Sequence, residues 1–239
     1  MKLVAVSPHL DDAAFSAGAT LAQRAAEGWQ VTIATCFTGT VARPQGFALA
    51  CQLDKGLSPD VDYMALRRQE DLDACAALGA TAIHLPFLEA PHRGYASAPE
   101  LFAGRRADDQ VVVELTASLS RLLSDVEPDV VMGPLCLGDH VDHHIVRDAL
   151  TAVVGARSLL LWEDWPYADR AARTAEPPVM TVDLDSHGRA SRLRACRCYR
   201  SQLDFQFGGA EALARRIGHI EQERFYGIDH RGRAPTRAA

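Results

Sequence analysis

The 239-residue sequence predicts an α/β fold with a mainly parallel, Rossmann-like sheet covered by helices on both faces. Short apolar, β-rich runs alternate with longer stretches of helical periodicity, the pattern of strands joined by crossover helices. No Pro-, Gly- or Ser-rich linker interrupts them. Residues 1–239 therefore read as a single domain, with a core over about 2–205 and a helical extension and flexible tail over about 206–239.

Leu3–Val6 is the first strand, followed by a helix over about Ala13–Glu27 that stops at Gly28, a residue suited to a left-handed helix end. Val31–Phe37 is a second β-rich run. Residues 39–64 have no clean period and contain Gly39, Pro44, Gly46, Gly56 and Pro59; a stretch that long is usually a functional lid or a disordered loop. Met64–Leu78 reads as a helix ended by Gly79, Ala82–Leu85 as a strand running into Pro86, and residues 87–109 as a second irregular stretch. Val111–Val126 is helical, Val130–Met132 is a buried strand, and His143–Val154 is another helix. Leu159–Trp162 and Val179–Val182 complete the strands before a helix over about Arg189–Leu203. In sheets of this kind ligands bind beyond the carboxyl ends of the strands.

Composition narrows the function. With 48% hydrophobic and 23% charged residues the chain can bury a core, and its net charge of −6 argues against nucleic acid as a partner, because a phosphate backbone calls for a basic surface. No run approaches the roughly 20 apolar residues of a membrane span. The apolar run Leu3–Val6 ends at Ser7, Pro8 and His9, too early for a signal-peptide core, so a cytoplasmic enzyme is expected. The 6 cysteines form no CxxC pair and read as reduced thiols. Cys196 and Cys198 fall in a helical stretch that points their sulfurs apart, which argues against a metal clip.

Two clusters carry chemistry. His9-Leu10-Asp11-Asp12 closes the first strand and opens a helix. An Asp makes a good helix cap, but one cap needs one Asp, and two adjacent carboxylates beside a histidine repel each other unless a cation sits among them. The absence of a glycine-rich turn excludes a dinucleotide fingerprint. The second cluster, Gly138-Asp139-His140-Val141-Asp142-His143-His144, follows the strand Val130–Met132 and opens another helix. These residue types bind zinc and move protons. His143 and His144 stand about 100° apart on a helix, so one ligates while the other packs or faces solvent; spacing does not choose between them.

His9-Leu10-Asp11-Asp12 followed by a distant His140-Val141-Asp142-His143 resembles the PIG-L/LmbE family of metal-dependent de-N-acetylases. Arg67-Arg68-Gln69-Glu70 and Tyr199-Arg200-Ser201-Gln202 match it too, so the resemblance spans roughly residues 2–205. It implies His9, Asp12 and His143 as metal ligands, with a fourth position open for water, and Asp11 as the general base. It implies His140 as the group, protonated, that serves the oxyanion or the leaving amine, and Asp142 as the carboxylate that orients His140. Arg67 matches an arginine associated with polar or phosphate groups of the substrate, against the alternative that residues 67–71 form a solvated helix face with local ion pairs. The implied cofactor is Zn2+, with Fe2+ or another divalent metal as alternatives. The implied substrate is an N-acetylglucosamine-like small molecule or glycoconjugate, in a monomer or homo-oligomer. Two other readings stand beside it: an amidase acting on a thiol-sugar conjugate or in antibiotic tailoring, and a metal-binding protein with a vestigial site.

One departure stands out. Some family members carry a tyrosine two residues before the first histidine of the second motif, where this chain has Gly138. If that tyrosine assists the oxyanion, another donor must replace it here. The segment Trp162-Glu163-Asp164-Trp165-Pro166-Tyr167 follows a strand and offers aromatics on which a sugar could stack, against the alternative that its tryptophans are core or interface residues. His84, His92, His187, His219 and His230 belong to no pattern and are expected to be structural or exposed.

Overall fold

The computed structural model describes residues 1–172 and 174–228. In chain order the elements are β1 (Lys2–Ser7), α1 (Asp12–Ala26), β2 (Gln30–Thr35), α2 (Gly46–Leu53), α3 (Tyr63–Leu78) and β3 (Thr81–His84). There follow α4 (Ala98–Leu101), α5 (Val111–Val126), β4 (Val130–Pro134), α6 (Val141–Val153), β5 (Ser158–Trp162) and β6 (Met180–Asp183). Then come α7 (Ser186–Cys196), α8 (Arg200–Phe207), α9 (Ala210–Gly218) and β7 (Gln222–Tyr226).

The strands form one sheet of order β3-β2-β1-β4-β5-β7-β6. β1 to β5 pair in parallel, and β7 runs antiparallel to both β5 and β6. Alternation along each strand feeds two hydrophobic layers. Leu3 and Ala5 join Phe15, Leu21, Leu78 and Ala195 on one face, whereas Val4 and Val6 join Leu119, Ile145 and Leu150 on the other. The α/β class, the mainly parallel sheet and the helices on both faces are as the sequence predicts.

The departures are local. The stretch expected as one helix over Arg189–Leu203 breaks between α7 and α8, and the irregular stretch 39–64 contains α2. Residues 206–228, expected as a helical extension, also supply β7, which lies inside the sheet between β5 and β6; residues 229–239, the expected tail, and His230 lie outside the described residues. β7 is anchored by Glu223. Its carboxylate accepts from the backbone N–H groups of Ala19 (3.0 Å) and Thr20 (2.8 Å), just past the non-helical Ala17 that interrupts α1, and pairs with buried Arg192. Arg192 in turn donates to the Phe15 carbonyl. A charged strand residue thus satisfies backbone groups freed by a break in a helix.

Candidate metal centre and active site

The chain leaves β1 for β2 and β3 on one side and returns to β4 on the other, so the carboxyl ends of β1 and β4 diverge beside each other at a topological switch point, where open α/β sheets bind ligands. Both predicted motifs lie there.

Asp11 occupies the cap position of α1 but makes no side-chain capping bond. Its carboxylate instead accepts from Gln206 Nε2 at 3.1 Å and lies 3.5 Å from the Arg67 guanidinium. The simple capping explanation of this aspartate therefore fails. Asp12 turns the other way: its Oδ2 lies 3.1 Å from His9 Nδ1 and 3.3 Å from His143 Nε2. Donors on a tetrahedral zinc with bonds of about 2.0–2.1 Å are separated by roughly 3.3 Å, so this spacing fits one ion. His143 Nε2 is moreover buried with no hydrogen bond of good geometry, a ring nitrogen placed where a metal would take it. The residues present therefore fit a divalent metal.

The far nitrogen of each histidine is tied to a buried carboxylate. His9 Nε2 meets Asp142 at 3.0 Å, and His143 Nδ1 meets Asp164 at 2.7 Å. Such carboxylates fix the ring and its tautomer and raise the basicity of a ligand. His9, His140 and Asp142 form a second cluster of donor atoms close enough for an ion. Asp142 is already engaged there, accepting from Ala90 N–H at 3.1 Å and pairing with Arg93 at 2.7 Å, and this favours the grouping His9, Asp12 and His143.

This corrects the expected role of Asp142. Its carboxylate orients His9, not His140; only its backbone N–H meets His140, donating to Nδ1 at 3.2 Å as His140 caps α6. The reason is geometric, since in the first turn of α6 the side chain at 142 swings back toward β1. With Nδ1 accepting, neutral His140 carries its proton on Nε2. Burial, followed by the positive charges on His9 and His143, pushes His140 down to about 3, which favours the neutral ring in the metal-free fold.

Burial pushes Asp11 up to about 6, with Arg67 opposing and Asp12 reinforcing the shift. His143 is raised to about 9: burial opposes this, but the charges of the Asp12 and Asp164 carboxylates and the bond to Asp164 outweigh it. His9 is likewise held well above its ordinary value by Asp12 and Asp142 despite burial.

His144 takes the alternative position on α6. It is half-buried, 3.2 Å from Asp139 and against Arg147, away from the metal grouping. Arg67 is buried rather than part of a solvated face, and Arg68, Glu70 and Asp71 are anchored as well. Arg67 pairs with Glu89 at 2.6 Å, Arg68 donates to the Thr38 carbonyl, Glu70 accepts from Ser201, and Asp71 accepts from Tyr199 and contacts His84. The two secondary motifs thus meet each other, and His84 is structural as expected. His92 lines the cleft. The tryptophans do not: Trp162 is 0% exposed and Trp165 stacks on Phe207 in the core, the alternative reading of this segment, whereas Tyr167 reaches the cleft.

The site opens into a cleft of about 490 Å³ walled by α2, α4, α8 and the loop after β5, including Phe47, Phe102, Tyr167 and Phe205. Three contributors escaped the sequence reading: Asp164, Gln206 and Arg93. Only Asp164 left a signal, as an acid just past a strand end in the same layer as both motifs. Among the described residues all six cysteines are free thiols, and no helix is long and apolar enough to cross a membrane.

The chain is 31% identical over 211 residues to the 2'-N-acetylparomamine deacetylase of Streptomyces fradiae, covering 83% of this chain and 72% of that one. It is 27% identical to the 1D-myo-inositol 2-acetamido-2-deoxy-alpha-D-glucopyranoside deacetylase of Actinosynnema mirum, covering 87% and 83%. Among solved structures, the A40926 pseudoaglycone deacetylase superposes with a TM-score of 0.79 at 29% identity, over 94% of this chain and 96% of that one. A zinc-inhibited form of teicoplanin deacetylase superposes at 0.78 with 26% identity, over 96% and 100%. The profile of the GlcNAc-PI de-N-acetylase family, PIG-L, matches residues 4–154, a span that contains both motifs, and the chain belongs to that family.

Proposed function

We propose that this chain is a metal-dependent hydrolase, a single catalytic domain that removes an acetyl or other acyl group from an N-acetylglucosamine-like small molecule or glycoconjugate. The observation that carries the reading is the convergence of His9 Nδ1, Asp12 Oδ2 and His143 Nε2 beside a separately held carboxylate, Asp11, in one cleft. A pure metal store has no use for that carboxylate. The relatives named above as deacetylases of aminosugars and of a glycopeptide pseudoaglycone support the reaction class.

A bound divalent ion would polarise the amide carbonyl and bring the pKa of a water from about 15.7 towards 7. Asp11 accepts that water's proton. Burial lifts this carboxyl to about 6 in the metal-free fold, and a bound cation would favour its ionised, proton-accepting form. Gln206 and Arg67 hold the Asp11 carboxylate in place. His140 Nε2–H faces the same cleft and donates to the oxyanion or leaving amine. Arg67 sets the charge around Asp11 and lines the cleft, where it is also available to polar groups of the substrate.

The donor set of two imidazoles and one carboxylate favours zinc, with ferrous iron as the alternative, and activity across a zinc, iron and cobalt series separates them. Acetate release from a panel of N-acyl sugars and larger amides, abolished by chelation, tests the reaction. Asp11→Asn is expected to lower kcat by about 10²–10⁴-fold while retaining stoichiometric metal. Full activity in that variant would falsify the assignment of the base.

A further inference from the structure

We propose that Tyr167 is a catalytic residue, its phenol donating a hydrogen bond to the carbonyl oxygen of the amide being cleaved; this rests on the de-N-acetylase reading above. The ring stands at 85° to that of His143 with centroids 5.5 Å apart, and lies 6.4 Å from His140 and 6.2 Å from Phe102. Three rings therefore fix it on the cleft wall beside a metal ligand and beside the other proposed donor. The side chain is half-buried and lines the cleft, yet its hydroxyl makes no hydrogen bond to any of the described residues. A fixed, partly buried hydroxyl without a protein partner is an unused donor. A phenol ordinarily titrates at about 10, so the group carries its proton at neutral pH.

Gly138 supplies the second, independent observation. It adopts φ +92°, and a Cβ built on it would lie 2.6 Å from Tyr167 Cβ and 3.1 Å from ring atoms. The tyrosine is seated on bare backbone, and any side chain at 138 would displace it. The loop after β5 thus lays Tyr167 directly against the backbone at Gly138. As the amide carbon becomes tetrahedral, charge gathers on the carbonyl oxygen and the phenol bond strengthens. No proton leaves the tyrosine.

Tyr167→Phe in the zinc-loaded protein keeps the ring and its contacts and removes only the hydroxyl. The expected result is a kcat lower by about 10²–10³-fold with metal content unchanged and KM moved by less than about threefold. Acetate, titrated calorimetrically into zinc-loaded protein, should bind about tenfold more weakly to the variant, because its carboxylate would accept the same bond. Gly138→Ala should lower kcat in the parent but add little to Tyr167→Phe, because the hydroxyl it would misplace is already gone; a purely structural role would make the two losses additive. A kcat within about twofold of the parent, or an unchanged acetate affinity, overturns the proposal. If the parent releases no acetate from any N-acyl sugar, the reading of the reaction fails, and the calorimetric comparison still decides whether the hydroxyl reaches an oxygen ligand in the cleft.

Discussion

Replacing Asp164 by Asn should weaken metal binding although Asp164 touches no metal. The carboxylate is 1% exposed and serves two donors at once, His143 Nδ1 at 2.7 Å and the Leu137 backbone N–H at 2.9 Å. An amide of the same shape has one acceptor oxygen. Turned toward His143, it sets its own NH2 against the Leu137 N–H; turned the other way, it abandons the imidazole. Either rotamer leaves one buried donor unpaired, at a cost of about 1–3 kcal/mol. Loss of the carboxylate also removes the charge that favours the metal-binding tautomer of His143. Outer-shell partners of this type typically change metal affinity by about 10–100-fold, or roughly 1.4–2.7 kcal/mol. The upper half of that range is expected, because the bond is short and fully buried. Competition with a chromophoric chelator at pH 7 measures the dissociation constant, and circular dichroism checks the fold. A folded Asp164→Asn protein binding metal within about twofold of the parent would refute the outer-shell argument.

Glu223→Ala should destabilise the fold by about 3–5 kcal/mol in denaturant unfolding, because it strands the Ala19 and Thr20 N–H groups and the buried Arg192 guanidinium together; a loss below about 1 kcal/mol would mean that β7 is not held this way. Metal-free protein should lose thermal stability as pH rises toward 9. His143 is raised to about 9 in the fold, above its ordinary value, so its proton stabilises the folded state fully below about pH 6.5, and that contribution disappears as pH passes through the folded value. Metal affinity should climb over the same window, since the ion displaces that proton, and melts from pH 6 to 10 with and without metal would detect both trends or a flat profile that contradicts them.

The legible part of this protein is the part written in contiguous residues. β1, β4 and the helices after them were plain from periodicity, and the residues on those elements, His9, Asp11, Asp12, His140 and His143, do converge. Spacing alone could not separate His143 from His144. The structure separates them by helix phase, turning one toward Asp12 and the other toward Asp139. β7 was hidden because three of its five residues, Gln222, Glu223 and Arg224, are polar or charged, and the inward-facing one, Glu223, is stabilised by backbone donors rather than by apolar packing. The family resemblance pairs Asp142 with His140, but its carboxylate meets His9, just past the end of β1, a partner no local pattern indicates. Gln206 and Arg93 could not be found at all. A lone Gln in a helix and a lone Arg in an irregular stretch carry no pattern, and only the tertiary fold brings them to Asp11 and Asp142.

The electrostatics explain why this arrangement invites a divalent ion. Asp11, Asp12, Asp142 and Asp164 are all buried within reach of one another, facing the guanidinium groups of Arg67 and Arg93, which also serve Glu89 and Asp109. Such an excess of buried carboxylate is costly unless positive charge is drawn in. The metal-free fold meets it with protons, raising His9 and His143 and pushing Asp11 towards neutrality. A divalent cation would replace two imidazole protons with the same total charge, which makes loading nearly isoelectric for the surrounding ion pairs. The proposed ligands come from the turn past β1 and the first turns of α1 and α6, while the cleft walls come from α2, α4, α8 and loops. Charge balance at the centre is thus decoupled from the shape of the walls. Substitutions in those walls can change which acylated molecule is accepted without disturbing the groups that hold the metal and move the proton.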